Sequence, residues 1–369
     1  MITLGVLSDS NSFRFHDNDE SSLVKVDFEI DKSTNIPRIH TEILRESSGE
    51  YWRNPKLADP HLHTFAMLES WQPFLELPDC ENLLLVTSKD DVYIESLGNK
   101  LKNSCNISRL SLLNSSDLSE IDSYVDNFAS LNKQSFDLIL LRHSLEHSQN
   151  PLALLRNLSR SLSLRGMILL EVPLFNDNKM ESFFEQFWEE HIFYFSAKTL
   201  LPLIAMASLE VVDYKIVTTE NEPVLAVLAK LNRQVKSGDI VTINDRDTLL
   251  KWVETDILKA RTLFNNLTKS KDVVFIGANH KSINLIDLFV PEEKRVFLLD
   301  GDAQKIGKFT TRYNIEVLDL RELDHFRNNQ ILTTISPKKL GSIVKNHLSN
   351  FDDLNTIKFF YSEASKLIV

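Results

Sequence analysis

Residues 136–173 read FDLILLRHSLEHSQNPLALLRNLSRSLSLRGMILLEVP. Phe136 to Leu141 is a short apolar run of the kind shown by a parallel strand buried on both faces, and Met167 to Val172 is a second. Between them Leu152, Leu154, Leu155, Leu158, Leu162 and Leu164 recur at helical spacing with Arg156, Asn157 and Arg160 interposed, which predicts an amphipathic helix. Pro151 suits a first helical turn, and Gly166 stands where a C-cap glycine would end the helix. Strand, helix and strand make a βαβ unit. In a doubly wound sheet the ligand lies beyond the carboxyl ends of the strands, so residues 142–150 and 173–191 are where a site is expected.

Composition bounds what surrounds this unit. A chain of 369 residues, 43% hydrophobic and 25% charged, holds more than one core, so at least two domains are expected. No apolar run reaches membrane-spanning length, and MITLGVLSDSNSF lacks the basic flank and apolar centre of a signal peptide, so the expected location is the cytoplasm. With 41 basic and 52 acidic residues the net charge is −11, which disfavours nucleic acid and anionic membranes as partners. Cys80 and Cys105 are too few for a disulfide framework and lack metal-ligand spacing. Only nine glycines are present where average usage would give about 25, which bears on any fold that holds a nucleotide on a glycine loop.

Outward from the central unit, residues 1–50 form a polar segment with alternating pieces, Val24–Ile30 and Arg38–Leu44, that read as exposed hairpin strands. Residues 51–235 hold the main α/β domain: a helix over 58–78, strands at Leu83–Val86 and near Ile107–Leu113, and an antiparallel pair at Leu209–Val217 and Val224–Leu231. Residues 236–270 form a linker containing a helix from about Thr248 to Leu267. Residues 271–369 restart a βαβ pattern with VVFIGANHKSINLIDLF and VFLLDGDAQKIGKF, a second Rossmann-like domain whose single Gly277 is weak support for a nucleotide loop.

SLEHSQNPLALLRNLSRSLSLRGMILLEVP resembles the fourth-strand, helix and fifth-strand region of class I S-adenosylmethionine-dependent methyltransferases. EEHIFYFSAKTLLPLIAMASLEVVDYKIV and DGDAQKIGKF are similar, more narrowly, to the two-domain sugar C-methyltransferases, over about residues 75–369. The resemblance implies an α/β fold with a class I methyltransferase core, a Rossmann-like C-terminal domain and a small β-rich N-terminal segment. It implies methylation of a carbon next to a ketone on a nucleotide-linked deoxysugar or similar small keto compound, with S-adenosylmethionine as cofactor. That family usually carries a cysteine-ligated zinc module at its N-terminus; no cysteine precedes Cys80, so no metal is expected.

Residue by residue, the resemblance makes His191 the general base and Glu190 its neighbour. It places Thr87, Ser88, Asp90, Asn114, Arg142 and Glu146 around the cofactor, and Tyr194, Asp300 and Lys305 toward the substrate. The chain departs from the family pattern at several of these places. Leu85 replaces the acid ending the first strand, Thr87 and Asp91 replace loop glycines, Asn114 replaces the ribose acid, and Trp188 replaces a tyrosine.

By spacing alone, Phe183, Phe184, Phe187, Trp188 and His191 also read as an aromatic core stripe ending in a satisfied histidine. Glu146 and His147 with His143 read either as the mouth of the site or as solvated residues at a helix entrance, and no further metal ligand follows them at a suitable spacing. Two functions therefore remain open from the sequence. One is a C-methyltransferase; the other is a lapsed relative that binds a sugar nucleotide or a protein partner without methyl transfer.

Overall fold

The computed structural model describes residues 2–8, 15–16, 23–30, 34, 36–41, 70–71, 73–75, 79–86, 104–110, 135–148, 150–175, 191–218, 223–232, 255, 258–266, 268, 272–290, 294–310, 315–335, 340, 343 and 357–359. Four strands come first: β1 (Ile2–Ser8), β2 (Phe15–His16), β3 (Leu23–Ile30) and β4 (Pro37–Thr41). β1, β3 and β4 form an antiparallel sheet with β3 central. The β3–β4 hairpin matches the alternation read in the sequence, whereas β1 and β2 carry no such signal there.

The first large sheet contains β5 (Asn82–Leu85), β6 (Asn106–Arg109), β7 (Phe136–Arg142), β8 (Leu162–Pro173), β9 (Leu209–Thr218) and β10 (Pro223–Leu231). Its order is β6-β5-β7-β8-β10-β9. The first four strands run parallel, and β10 and β9 add an antiparallel edge. Buried parallel strands need apolar side chains on both faces, and Leu83, Leu84, Leu85, Leu138, Ile139, Leu140, Leu141, Ile168, Leu169 and Leu170 supply them.

Helix α1 (Pro151–Arg160) crosses from β7 to β8 and buries Leu154, Leu155 and Leu158. Asn150 caps it by accepting a hydrogen bond from the Ala153 N–H at 3.0 Å, and Pro151 stands in the first turn as expected. The end of the helix differs from the sequence reading. Leu162, Leu164 and Gly166 belong to β8, not to the helix or its cap. The β7–β8 register shifts between Phe136 and Leu138, and a Cβ on Gly166 would stand 2.4 Å from the Phe136 carbonyl oxygen. Gly166 therefore allows a close backbone approach at a bulge.

Cys80 and Cys105 precede β5 and β6, with their sulfurs 3.9 Å apart. Burial pushes the Cys80 thiol up to about 12, so it stays protonated at neutral pH.

After helix α2 (Ala197–Met206) and a helical stretch, α3, at 258–266, the chain builds a second parallel sheet. It contains β11 (Val273–Ile276), β12 (Val296–Asp300), β14 (Val317–Asp319), β15 (Gln330–Thr333) and β16 (Ile357–Phe359), in the order β14-β12-β11-β15-β16. Helix α4 (His280–Phe289) follows β11, which is the βαβ restart read from the sequence. Gly277 has φ +97, and a Cβ there would meet the Ile335 side chain at 2.6 Å, so the turn and its packing account for this glycine. The short strand β13 (Phe309–Thr310) pairs antiparallel with β2, which attaches the N-terminal segment to the turn after β12. No helix among the described residues is long and apolar enough to cross a membrane.

Candidate active site

The site is built at the carboxyl ends of β7 and β8. Immediately after β7, His143 takes φ 44, an uncommon backbone conformation for a residue with a side chain. The Ser144 hydroxyl donates to the Arg142 carbonyl at 2.9 Å, and Leu145, fully buried, anchors a single tight turn at Leu145–His147. The Asn150 cap then starts α1. The turn is thus held at both ends, and its polar residues face the segment that follows β8.

That second segment is stitched to the first. The backbone N–H groups of Ile192 and Phe193 donate to the Glu146 carbonyl at 2.7 and 3.0 Å. Phe175 N–H donates to the Phe195 carbonyl at 2.7 Å, and Leu174 N–H to the Pro223 carbonyl at 2.8 Å. Ser196 begins α2 with a reciprocal cap, its N–H donating to the Thr199 hydroxyl at 2.9 Å. Residues 191–196 therefore lie fixed across the ends of β7, β8 and β10.

These constraints bring Glu146, His147 and His191 together. The His147 and His191 rings meet edge to face with centroids 4.9 Å apart, and Tyr194 packs edge to face on His191 at 6.3 Å. The Glu146 carboxylate, on a residue 1% exposed, has Oε1 3.7 Å from His143 Nδ1 and 3.9 Å from His147 Nε2. A small cleft is lined by Glu146, Pro173, Leu174, Phe175, His191, Phe193, Tyr194 and Pro223. Its wall is apolar apart from a carboxylate, an imidazole and a phenol. Such a cleft sets a proton acceptor beside a surface that excludes water.

The expected site residues divide into four groups. His191, Glu146 and Tyr194 come together in the cleft. Arg142 is turned into the sheet, its Nε 2.8 Å from Glu171 Oε2 with both side chains sealed from solvent, so Glu171 engages the guanidinium. Asp300 and Lys305 stand at the carboxyl end of β12 in the second sheet. There Asp300 Oδ2 accepts the Ala278 N–H at 2.7 Å, and Lys305 Nζ donates to the Ala278 carbonyl at 2.9 Å. Glu190, Thr87, Ser88, Asp90 and Asn114 lie outside the described residues. His147, read from the sequence as part of a cluster either framing the site or solvated, meets its partner His191 from a distant segment, and only the fold joins them.

Residues 87–214, about a third of the chain, match the sequence model of a family described as "Methyltransferase domain". This part of the chain is similar to methyltransferase domains. The matched residues include β7, α1, β8, the cleft segments and most of β9. No curated protein matches the chain.

Solved structures of low likeness include an S-adenosylmethionine-dependent methyltransferase from Clostridium acetobutylicum. It has 12% identity and TM-score 0.34, and the alignment covers 50% of this chain and 97% of that one. The N-terminal domain of EvdMO1 with S-adenosylhomocysteine bound has 16% identity and TM-score 0.31, covering 51% and 86%. The [4+2]-cyclase SpnF has 11% identity and TM-score 0.35, covering 49% and 85%.

In a doubly wound sheet a cofactor lies beyond the carboxyl ends of the strands, here those of β5 and β7. The Val86 N–H bonds the Leu140 carbonyl at 2.9 Å and the Leu110 N–H bonds the Leu85 carbonyl at 2.8 Å. The carboxyl ends of three parallel strands therefore lie side by side at one edge of the sheet.

Proposed function

We propose that the enzyme is a C-methyltransferase that acts on a carbon beside a ketone, on a nucleotide-linked deoxysugar or a related small keto compound. One observation carries this reading: the His191 imidazole lines an apolar-walled cleft at the carboxyl ends of β7 and β8, beside Tyr194 and Glu146. A carbon next to a ketone becomes nucleophilic only when it loses a proton, and imidazole is the side chain with an ordinary pKa near neutrality. His191 takes the C–H proton, the bonding pair moves onto the ketone oxygen as an enolate, and Tyr194 is placed to donate a hydrogen bond to that oxygen.

S-adenosylmethionine supplies an electrophilic methyl group to the enolate carbon. The chain's own task is to hold that carbon dry and aligned, and Pro173, Leu174, Phe175, Phe193 and Pro223 form the wall that does so. The nucleotide-linked sugar as acceptor is supported by the resemblance of EEHIFYFS and DGDAQKIGKF to the sugar C-methyltransferases.

The test has two stages. Calorimetric titration with S-adenosylmethionine should show binding. Incubation of a keto-deoxysugar nucleotide with the enzyme in heavy water should then place deuterium beside the ketone, and His191→Ala should abolish that exchange while cofactor affinity stays within about twofold. Cofactor binding without exchange in the parent enzyme would overturn carbon methylation.

A further inference from the structure

We propose that Glu146, His147 and His191 form a binding site for a divalent transition metal ion of the zinc class. One donor atom from each residue, a carboxylate oxygen and two imidazole nitrogens, lies within 4.8 Å of the other two. Two imidazoles with one carboxylate suit zinc, cobalt and nickel ions, whereas magnesium and calcium favour all-oxygen sites. Metal–ligand bonds of about 2.0–2.2 Å in tetrahedral geometry set neighbouring donors about 3.4 Å apart. The Glu146–His147 pair stands at 3.9 Å and every pair within 4.8 Å, so side-chain rotations bring the donors to that spacing.

The surroundings are those of a built site. Glu146 and His191 are 1% and 4% exposed, so the donors are withdrawn from competing water. Their backbones are fastened to each other by the bonds from Ile192 and Phe193 to the Glu146 carbonyl. His143, 3.7 Å from the same carboxylate oxygen, is a neighbour able to orient it. Three protein donors leave a fourth position for an exchangeable ligand, and two of them, Glu146 and His191, line the cleft.

Metal binding itself does not depend on the C-methyltransferase reading; only its consequence does. Where the ion takes the His191 nitrogen that would accept the proton, zinc-class ions block the exchange beside the ketone. The site is thus a point at which a metal silences the enzyme.

The probe is cobalt(II), titrated into the full-length, tag-free protein and followed by visible absorption. One equivalent should bind with the d–d bands of a nitrogen–oxygen site and be displaced by zinc. His147→Ala and His147→Gln should each weaken binding at least tenfold with circular dichroism unchanged. Absence of stoichiometric binding, or full binding in both variants, would overturn the proposal. So would a sulfur-to-cobalt charge-transfer band, which would point to Cys80 and Cys105. Exchange without metal binding sinks the metal site and leaves the base in place; stoichiometric metal binding without inhibition of exchange upholds the site and removes His191 as base.

Discussion

At the carboxyl edge of the β5–β10 sheet the Arg142–Glu171 ion pair is sealed from solvent at 2.8 Å. At the carboxyl edge of the β11–β16 sheet Lys305 and Asp300 stand 3.4 Å apart, and each side chain keeps 16% exposure. Both edges follow the rule that parallel strands gather functional groups where they end. They use that position differently. In the first sheet the ion pair lies within the strands, and beyond it Glu146 and His191 line a cleft, with His147 packed on His191. In the second, Asp300 and Lys305 close onto the Ala278 backbone and secure the turn before α4. Similar topology therefore does not mean similar chemistry; what separates the edges is whether the polar groups beyond the strands face a cavity or face their own backbone.

The largest expected effect contrasts the two edges directly. His191→Ala should lower methyl transfer by about 10²–10⁴-fold, the usual contribution of a positioned general base. Lys305→Met should leave proton exchange at the methylated carbon unchanged. Single-turnover kinetics with saturating substrate separate the two. Equal losses would show that the second edge also takes part in the chemistry, and the contrast would be broken.

Next in size is the sealed ion pair. Arg142→Met strands the Glu171 carboxylate inside the sheet, and removing one partner of a buried pair costs about 3–5 kcal/mol. Replacing both, as Arg142→Met with Glu171→Leu, should recover most of that loss, because the desolvation of both charges disappears with the charges. Chemical denaturation of the single and double variants checks this. A double variant as unstable as the single would mean that the pair organises something beyond itself, and S-adenosylmethionine affinity would then be the quantity to compare.

The βαβ unit was legible because buried parallel strands are continuous apolar runs and the crossing helix alternates its faces, as Leu140 and Leu155 illustrate. Its boundary was not: Leu162 and Leu164 keep helical spacing by coincidence, and Gly166 looks like a helix stop when its real constraint is the Phe136 carbonyl at 2.4 Å from a would-be Cβ. No local pattern reports a contact with the neighbouring strand. The cleft was legible in part. His191 and Glu146 stood out by residue type and resemblance, but the assembly of Glu146, His147 and His191 is a product of tertiary structure, so a search for ligands at short spacing passed over it. Arg142 was placed at the cofactor by resemblance, and only the register of β7 on β8 reveals Glu171 opposite it.

A smaller effect is expected at the second edge itself. Lys305→Met removes the donor to the Ala278 carbonyl and the partner of Asp300, which at this partial exposure should cost about 1–2 kcal/mol of stability. If stability falls by that amount and the KM for a sugar nucleotide is unmoved, Lys305 acts as a turn fastener. A tenfold rise in KM with stability unchanged would instead assign it to the substrate and bring the two edges closer in role.

The smallest expected effect compares the helices that leave the two edges, since α1 and α4 both start from asparagine. Asn150 accepts one N–H, from Ala153, whereas the Asn279 Oδ1 accepts both the Ser282 N–H and the Thr334 hydroxyl, each at 3.0 Å. A lost cap typically costs about 1 kcal/mol, so Asn150→Ala should fall near that value. Asn279→Ala should exceed it, because the Thr334 hydroxyl, on a residue only 5% exposed, loses one of its two partners and keeps only the Ser282 hydroxyl at 2.8 Å. Activity should run in the opposite order. The Asn150 cap also fixes the exit of the Leu145–His147 turn, so its loss loosens Glu146 and His147 beside His191, while Asn279 stands in an edge whose polar groups already face inward. Thermal unfolding and exchange rates of the two variants would show stability and activity separating if the edges differ as described, and moving together if they do not.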